Sequence, residues 1–129
     1  MKKSAFNILR IGLAITFFWI GILIWRNPAE WAMFIQPWAA KLIPGSVVFA
    51  MQQTAVLDMA VGVLLLISPL VWLGALLGAG HLATVLITAG VSDITIRDVG
   101  LLSATIALCI ETFPQSLKDK ILLIIKRSV

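Results

Sequence analysis

The segment that decides the fold spans residues 54–81 and reads TAVLDMAVGVLLLISPLVWLGALLGAGH. It holds two long apolar runs joined by a Ser68-Pro69 turn, with one acid in the first run and the single histidine ending the second. About 20 apolar residues suffice to cross the hydrocarbon core of a bilayer. The segment therefore predicts two antiparallel membrane-spanning helices, each carrying one ionisable side chain, Asp58 and His81.

The whole chain has the composition of an integral membrane protein. Of its 129 residues, 60% are hydrophobic and 12% are charged, whereas about a quarter of the residues in a soluble domain are charged. The net charge of +4 does not indicate nucleic-acid binding, because the basic residues concentrate towards the chain ends, where membrane topology accounts for them. The lone Cys109 excludes a disulfide within the chain.

Apolar runs and breaker residues predict one all-α domain: an antiparallel four-transmembrane-helix bundle with a short interfacial helix between helices 1 and 2. The first span follows Met1-Lys2-Lys3, but it is long for a signal-peptide core and lacks a small-residue cleavage site, so we expect a retained helix. The predicted bounds are 7–25, 47–67, 70–89 and 94–113 for the spans, 28–36 for the interfacial helix and 115–129 for a cytoplasmic tail.

The distribution of basic residues predicts the orientation of this bundle. Most of them fall on the side that holds both termini, which predicts that both termini are cytoplasmic, in a bacterial-type inner membrane. The residues on that side are Lys2, Lys3, Arg10, Lys118, Lys120, Lys126 and Arg127, against Arg26, Lys41 and Arg97 on the other. The tail mixes isoleucine and leucine with lysine, which favours a surface helix on anionic lipid.

An aromatic face follows the first span. Trp31, Phe34, Ile35 and Trp38 recur at i, i+3, i+4 and i+7, which suits a helix lying in the head-group layer. Two interpretations stay open: a plain interfacial anchor, or a lid over a lipid-soluble ligand.

The polar residues inside the spans are the candidate functional groups. An acid such as Asp58 at the centre of a span costs roughly 3 kcal/mol, so it must face protein or water rather than lipid. Thr54 lies one helical turn before it on the same face. Gly74, Gly78 and His81 share a face of the next helix, and the GxxxG spacing permits close approach. A contact between the acid and the histidine is therefore feasible, either as a proton relay, as hydrogen bonds to a quinone carbonyl, or as a structural link between helices.

Charged residues also gather at the start of the fourth span. Asp93 and Arg97 have the i, i+4 spacing of a helical ion pair, and Asp98 suits the positive end of a helix. These residues either cap the helix or, for Arg97 and Asp98, border a cavity.

The residue inventory excludes several redox sites. A single histidine excludes bis-histidine haem ligation within the chain, and a single cysteine excludes a thiol oxidase that needs paired cysteines. The sequence contains no phosphate-binding loop and no metal-ligand spacing. We therefore expect no haem or metal cofactor.

Taken together, the motifs resemble the DoxX-like (DoxX/DoxD) family of small four-helix membrane proteins. The resemblance covers about residues 9–108, and Asp58 falls where that family usually has an acid. The other matching stretches are Arg10-Ile11-Gly12-Leu13, Gly21, Asn27-Pro28-Ala29-Glu30-Trp31-Ala32, Leu42-Ile43-Pro44 and Arg97-Asp98-Val99-Gly100-Leu101-Leu102. The resemblance implies a membrane subunit linked to quinone-dependent redox chemistry, such as sulfur-compound oxidation, beside a soluble partner.

Two function classes follow. In the first, Asp58 and His81 handle protons at a quinone head group, and a soluble or membrane partner supplies the electrons. The quinone-contacting residues would be Thr54, Trp31, Arg97 and Asp98. In the second, the chain is a non-enzymatic assembly partner or a small proton-coupled transporter that uses the buried acid. A homo-oligomer through Gly74 and Gly78 is compatible with either class.

Overall fold

The computed structural model describes residues 1–128 and contains only helices among its regular elements in that range. In chain order they are α1 (Lys3–Arg26), α2 (Pro28–Ala32), α3 (Pro37–Ala40), α4 (Val47–Leu66), a 3₁₀ turn (Ser68–Leu70), α5 (Val71–Ala89), α6 (Ile96–Thr112) and α7 (Gln115–Ser128). Three helices, α1, α4 and α5 with its preceding turn, are long and apolar enough to cross a membrane. The chain thus has the character of a multi-pass membrane protein.

Local chemistry sets the helix ends. The last residue before Pro28 cannot easily stay helical, so α1 stops at Arg26 and Asn27 leaves the helical region. Helix α4 begins after Ser46, whose hydroxyl accepts a hydrogen bond from the backbone N–H of Phe49 at 3.4 Å. Helix α5 ends at Gly90, where φ is +77°, a conformation that glycine adopts without steric cost.

The connection between α1 and α4 corrects one prediction. The sequence predicts one helix over 28–36 that ends before Pro37, whereas α2 already ends at Ala32 and a further short helix, α3, begins at Pro37. Residues 33–35 form a turn after α2, and Gln36 is extended, with φ −65° and ψ 148°, as expected for the residue before a proline. We call residues 28–44 the lid segment and the bundle end that carries it the lid end; the opposite end, with the turn at Ser68–Leu70, is the turn end.

Helices α1, α4, α5 and α6 form the bundle. The largest interface joins α1 to α4, followed by α5 with α6 and α4 with α5, whereas α1 meets α6 only sparsely. Two glycines bring α1 and α4 close together. A Cβ on Gly62 would lie 2.8 Å from the carbonyl oxygen of Ala14, and a Cβ on Gly21 would lie 2.8 Å from that of Ala55.

The predicted GxxxG pair packs inside the chain. A Cβ on Gly74 would lie 3.0 Å from Leu64 Cβ, and a Cβ on Gly78 would lie 2.9 Å from Phe17 Cζ. The two glycines therefore hold α5 against α4 and α1. A homo-oligomer through them stays a prediction, and in this fold their surface is already covered by their own chain.

The packed core lies in the turn-end half of the bundle. It draws on all four bundle helices, and the partly buried Leu57 and Cys109 pack against it. Its buried members are Leu13, Ala14, Phe17, Val61, Leu65, Val71, Ala75, Leu82 and Leu108. The lid-end half is built differently and contains a cavity.

Helix α7 follows α6 at the turn end and contributes no buried residue. Its isoleucine and leucine side chains between Ile121 and Ile125 are exposed, and its last turn carries Lys126 and Arg127. This exposed, basic helix has the features of the surface helix that the tail sequence predicts.

Candidate functional site

An acid and a histidine meet in the middle of the bundle. Asp58 Oδ1 lies 3.2 Å from His81 Nε2, with only 3% of the acid side chain and 11% of the histidine side chain exposed. At 1.5 Å of rise per residue, Asp58 sits about 12 Å from the turn end of α4 and about 16 Å from its other end. The pair therefore lies at a depth where ionisable groups are costly and usually functional.

Glycine packing positions this pair. Gly78 lies three residues before His81, and Val61 lies three residues after Asp58. In antiparallel helices the Gly78–Val61 contact is therefore the neighbour of the His81–Asp58 contact, about one helical turn away. A Cβ on Gly78 would approach Val61 Cγ1 to 3.2 Å. The absence of a side chain there lets α5 approach α4 closely enough for the histidine to reach the acid.

The acid keeps an unused hydrogen-bonding position. Although His81 is near, the two groups are not aligned as a hydrogen bond, and Asp58 Oδ1 has no hydrogen-bond partner among residues 1–128. Buried polar atoms are nearly always hydrogen-bonded, and an unsatisfied one needs an explanation. A buried carboxylate oxygen at a cavity surface is suited to accept a hydrogen bond from a ligand.

That cavity occupies the lid-end half of the bundle, with a volume of about 390 Å³. Its walls are mainly apolar, and Asp58 and His81 form its floor above the packed core. The lid segment lines the remaining side with aromatic and aliphatic side chains: Trp31, Phe34, Ile35, Trp38, Leu42 and Ile43. Its size and mixed lining, mostly apolar with a few convergent polar groups, are typical of small-molecule sites.

All six residues predicted from the sequence line this one cavity. Asp58 and His81 lie at its floor, and Thr54 lies on the wall one turn nearer the lid end. Trp31 belongs to the lid segment, and Arg97 and Asp98 lie at the first turn of α6. The structure thus assembles the predicted residues in one place, while their roles stay predictions.

The rim of the cavity carries a charged pair that differs from the predicted one. Because α6 begins at Ile96, Asp93 precedes the helix and lacks the helical i, i+4 relation to Arg97. Arg97 Nε instead lies 3.7 Å from Asp98 Oδ1. The arginine side chain is 56% exposed, whereas the Asp98 side chain is only 12% exposed.

Gln36 fastens the lid segment, a role that no sequence pattern indicates. Its backbone N–H donates to the Thr88 carbonyl at 2.9 Å, and its Nε2 donates to the Ala89 carbonyl at 3.3 Å. Its Oε1 accepts a hydrogen bond of 2.8 Å from the indole of Trp38. The bonds to Thr88 and Ala89 join the lid segment to the end of α5, so only the folded chain reveals them.

A second missed residue shapes the α5–α6 loop. Thr95 is 5% exposed, and its hydroxyl donates to the Gly90 carbonyl at 2.6 Å and accepts from the Ser92 N–H at 2.8 Å. These bonds fold the loop into a compact turn that sets the start of α6. They thereby place Arg97 and Asp98 at the cavity rim.

Comparison of the chain with family models, curated proteins and solved structures yields no match. The resemblance to DoxX-like proteins therefore rests on the sequence motifs alone. What the chain does has to be argued from its own geometry.

Proposed function

We propose that the chain is a four-span protein of a bacterial-type inner membrane, with α6 as the fourth span beside α1, α4 and α5. At 1.5 Å per residue, the 17 residues of α6 extend about 26 Å, close to the thickness of the hydrocarbon core. The turn end would face the cytoplasm. This orientation is supported by the basic residues near both termini and by the basic helix α7.

The function that this geometry supports best is binding of a quinone or quinol, as a DoxX-like subunit of a redox system. The single observation that carries the proposal is the Asp58–His81 pair at the floor of an apolar cavity. A quinone combines a flat apolar ring with polar oxygens at its edge. The ring fits the apolar walls, and its oxygens would be met by the two ionisable groups.

The hydrogen-bonding capacities of the pair match both forms of such a ring. The unpartnered Asp58 Oδ1 accepts from a quinol hydroxyl, and His81 Nε2 donates to a quinone carbonyl when it carries a proton. Thr54, one turn away, offers a hydroxyl on the same wall. The acid and the histidine are 3.2 Å apart, so a small rotation of either side chain would align them for a proton to pass between them.

The chain's own contribution is therefore binding, orientation and proton handling. The sequence encodes no haem, paired-cysteine or metal site, so electrons would be exchanged with a redox partner, soluble or in the membrane. The resemblance to DoxX-like proteins implies the same arrangement, in which the chain binds the quinone and a partner exchanges the electrons.

The test is a calorimetric titration of the purified chain, in detergent and without oxygen, with a short-tailed hydroquinone. Asp58→Asn replaces the carboxyl group by an amide, which cannot take up or release a proton and offers one acceptor oxygen instead of two, so we expect roughly tenfold weaker binding, a loss of about 1.4 kcal/mol. Asp93→Asn is the matched control, because Asp93 is exposed and does not line the cavity.

Equal affinity of the native chain and a well-folded Asp58→Asn variant would refute the proposed role. Elution volume and helical circular dichroism report on folding in both variants. Proton-coupled uptake of a solute into vesicles without quinone would instead support the transporter class.

A further inference from the structure

A second concavity lies on the outer surface of the bundle, against the other side of the cavity wall. It is a groove of about 410 Å³ between α1 and α6 in the lid-end half. Ile15 and Trp19 on α1 line it and are 64% and 59% exposed. Leu23 extends the same strip of α1 towards the lid end.

The groove and the cavity share a single layer of side chains. Five residues line both spaces: Thr16, Ile20, Trp31, Arg97 and Leu101. Because the same side chains line both spaces, movement of a few of them would join the groove to the cavity.

The seam between α1 and α6 is also the weakest side of the bundle. Helix α1 is locked to α4 by close backbone contacts at Gly21 and Gly62, but it meets α6 only sparsely. The lid segment, by contrast, is fastened to the end of α5 through Gln36. Opening between α1 and α6 therefore disturbs fewer contacts than lifting the lid segment.

The chemistry of the groove matches a hydrocarbon chain. Its lining is mainly apolar. The polar groups are the Arg97 guanidinium, the indole N–H groups of Trp19 and Trp31, and the Thr16 hydroxyl, which already donates to the Gly12 carbonyl of its own helix at 2.9 Å. If α1 and α6 both cross the membrane, the groove faces lipid acyl chains. A groove whose lining is mainly hydrocarbon, with few polar groups at its edge, favours an apolar occupant.

We infer that this groove holds the hydrocarbon tail of a long-tailed quinone or quinol, which enters from the bilayer between α1 and α6 and places its ring at the Asp58–His81 pair. The inference rests on the proposed function and adds to it the class of ligand and its route. A short, water-soluble quinone would fill the cavity but leave the groove empty.

The experiment uses the full chain in lipid nanodiscs and a benzoquinone whose ten-carbon tail ends in a photoreactive diazirine. After illumination, mass spectrometry locates the labelled residues, with and without an excess of the same benzoquinone lacking a tail. We expect labels on α1 between residues 15 and 23 and on α6 near Leu101, and we expect the tail-less competitor to remove them.

A groove-blocking variant strengthens the test. Leu23→Trp adds bulk to a residue that lines the groove but not the cavity. Excluding about two methylene groups of tail from the groove should lower labelling about tenfold. Ile8→Trp is the control, because Ile8 is 74% exposed on the same helix and lines neither space.

The outcomes separate the two proposals. Labels that the competitor removes but that lie on the lid segment beyond Trp31, at residues 33–44, and not on α1 or α6, overturn the α1–α6 route and leave the quinone site standing. Labels that the competitor does not remove overturn the quinone site itself and the route with it.

Discussion

Replacing Gly62 by alanine tests how the bundle is held together. A Cβ there would lie 2.8 Å from the Ala14 carbonyl oxygen and 2.9 Å from Phe18 Cβ. The first of these atoms belongs to the backbone of α1, which cannot rotate away, so α1 has to shift as a unit. Overpacking of this kind typically costs about 1–3 kcal/mol.

Gly80→Ala is the matched control for that change. Gly80 also lies inside a bundle helix, but a Cβ there meets nothing within 4 Å. Both substitutions gain the same helix propensity, up to about 1 kcal/mol, so the difference between them isolates the packing cost. We expect Gly62→Ala to be less stable than Gly80→Ala by about 1–3 kcal/mol.

The assay is equilibrium unfolding in mixed micelles with increasing dodecyl sulfate, followed by the circular dichroism of the helices. Equal unfolding free energies for the two variants would refute the close α1–α4 approach. They would also remove the reason for treating the α1–α6 side as the weaker seam.

Three further predictions address the cavity, the lid segment and the tail. Ala50→Phe places a ring in the cavity and should weaken hydroquinone binding about tenfold or more by occlusion. The control, Ala60→Phe on the exposed face of α4, should leave the affinity measured by calorimetry unchanged. An equal loss of affinity in both variants would contradict the site. Gln36→Ala removes two side-chain hydrogen bonds, so amide hydrogen exchange in the lid segment should become about tenfold faster. Gln53→Ala serves as the control, because Gln53 is exposed on α4. An unchanged exchange rate in Gln36→Ala would show that Gln36 does not fasten the lid segment. A peptide of residues 115–128 should become helical on anionic vesicles and stay unfolded on neutral ones, because each basic residue contributes about 1 kcal/mol to binding at an anionic surface. Equal helicity on both kinds of vesicle would refute the idea that charge holds α7 at the membrane.

The long helices were predictable because apolar run length and breaker residues act locally. Helices α1, α4 and α5 begin and end within a few residues of their predicted bounds. The break before Pro37 was predictable for the same reason, because the rule for the residue before a proline is local and Gln36 is extended. The early end of α2 at Ala32 and the second short helix, α3, were not predicted.

The site was predictable in its residues but not in its geometry. Asp58 and His81 stand out because ionisable groups are rare in apolar helices, yet helix rotation decides whether they touch, and the sequence does not specify it. The cavity depends on where packed side chains stop filling space between four helices. The role of Gln36 depends on a contact between residues far apart in the chain, so no local sequence pattern predicts it.

If the cavity binds a quinone or quinol through Asp58 and His81, as we propose, the ligand should stay with the chain through purification in mild detergent. Mass spectrometry of organic extracts measures it, with a membrane protein of similar size, purified in parallel, as the control. We expect quinone in stoichiometric amount with the native chain and clearly less with Asp58→Asn. Quinone at the level of the control protein, in a folded native preparation, would contradict it.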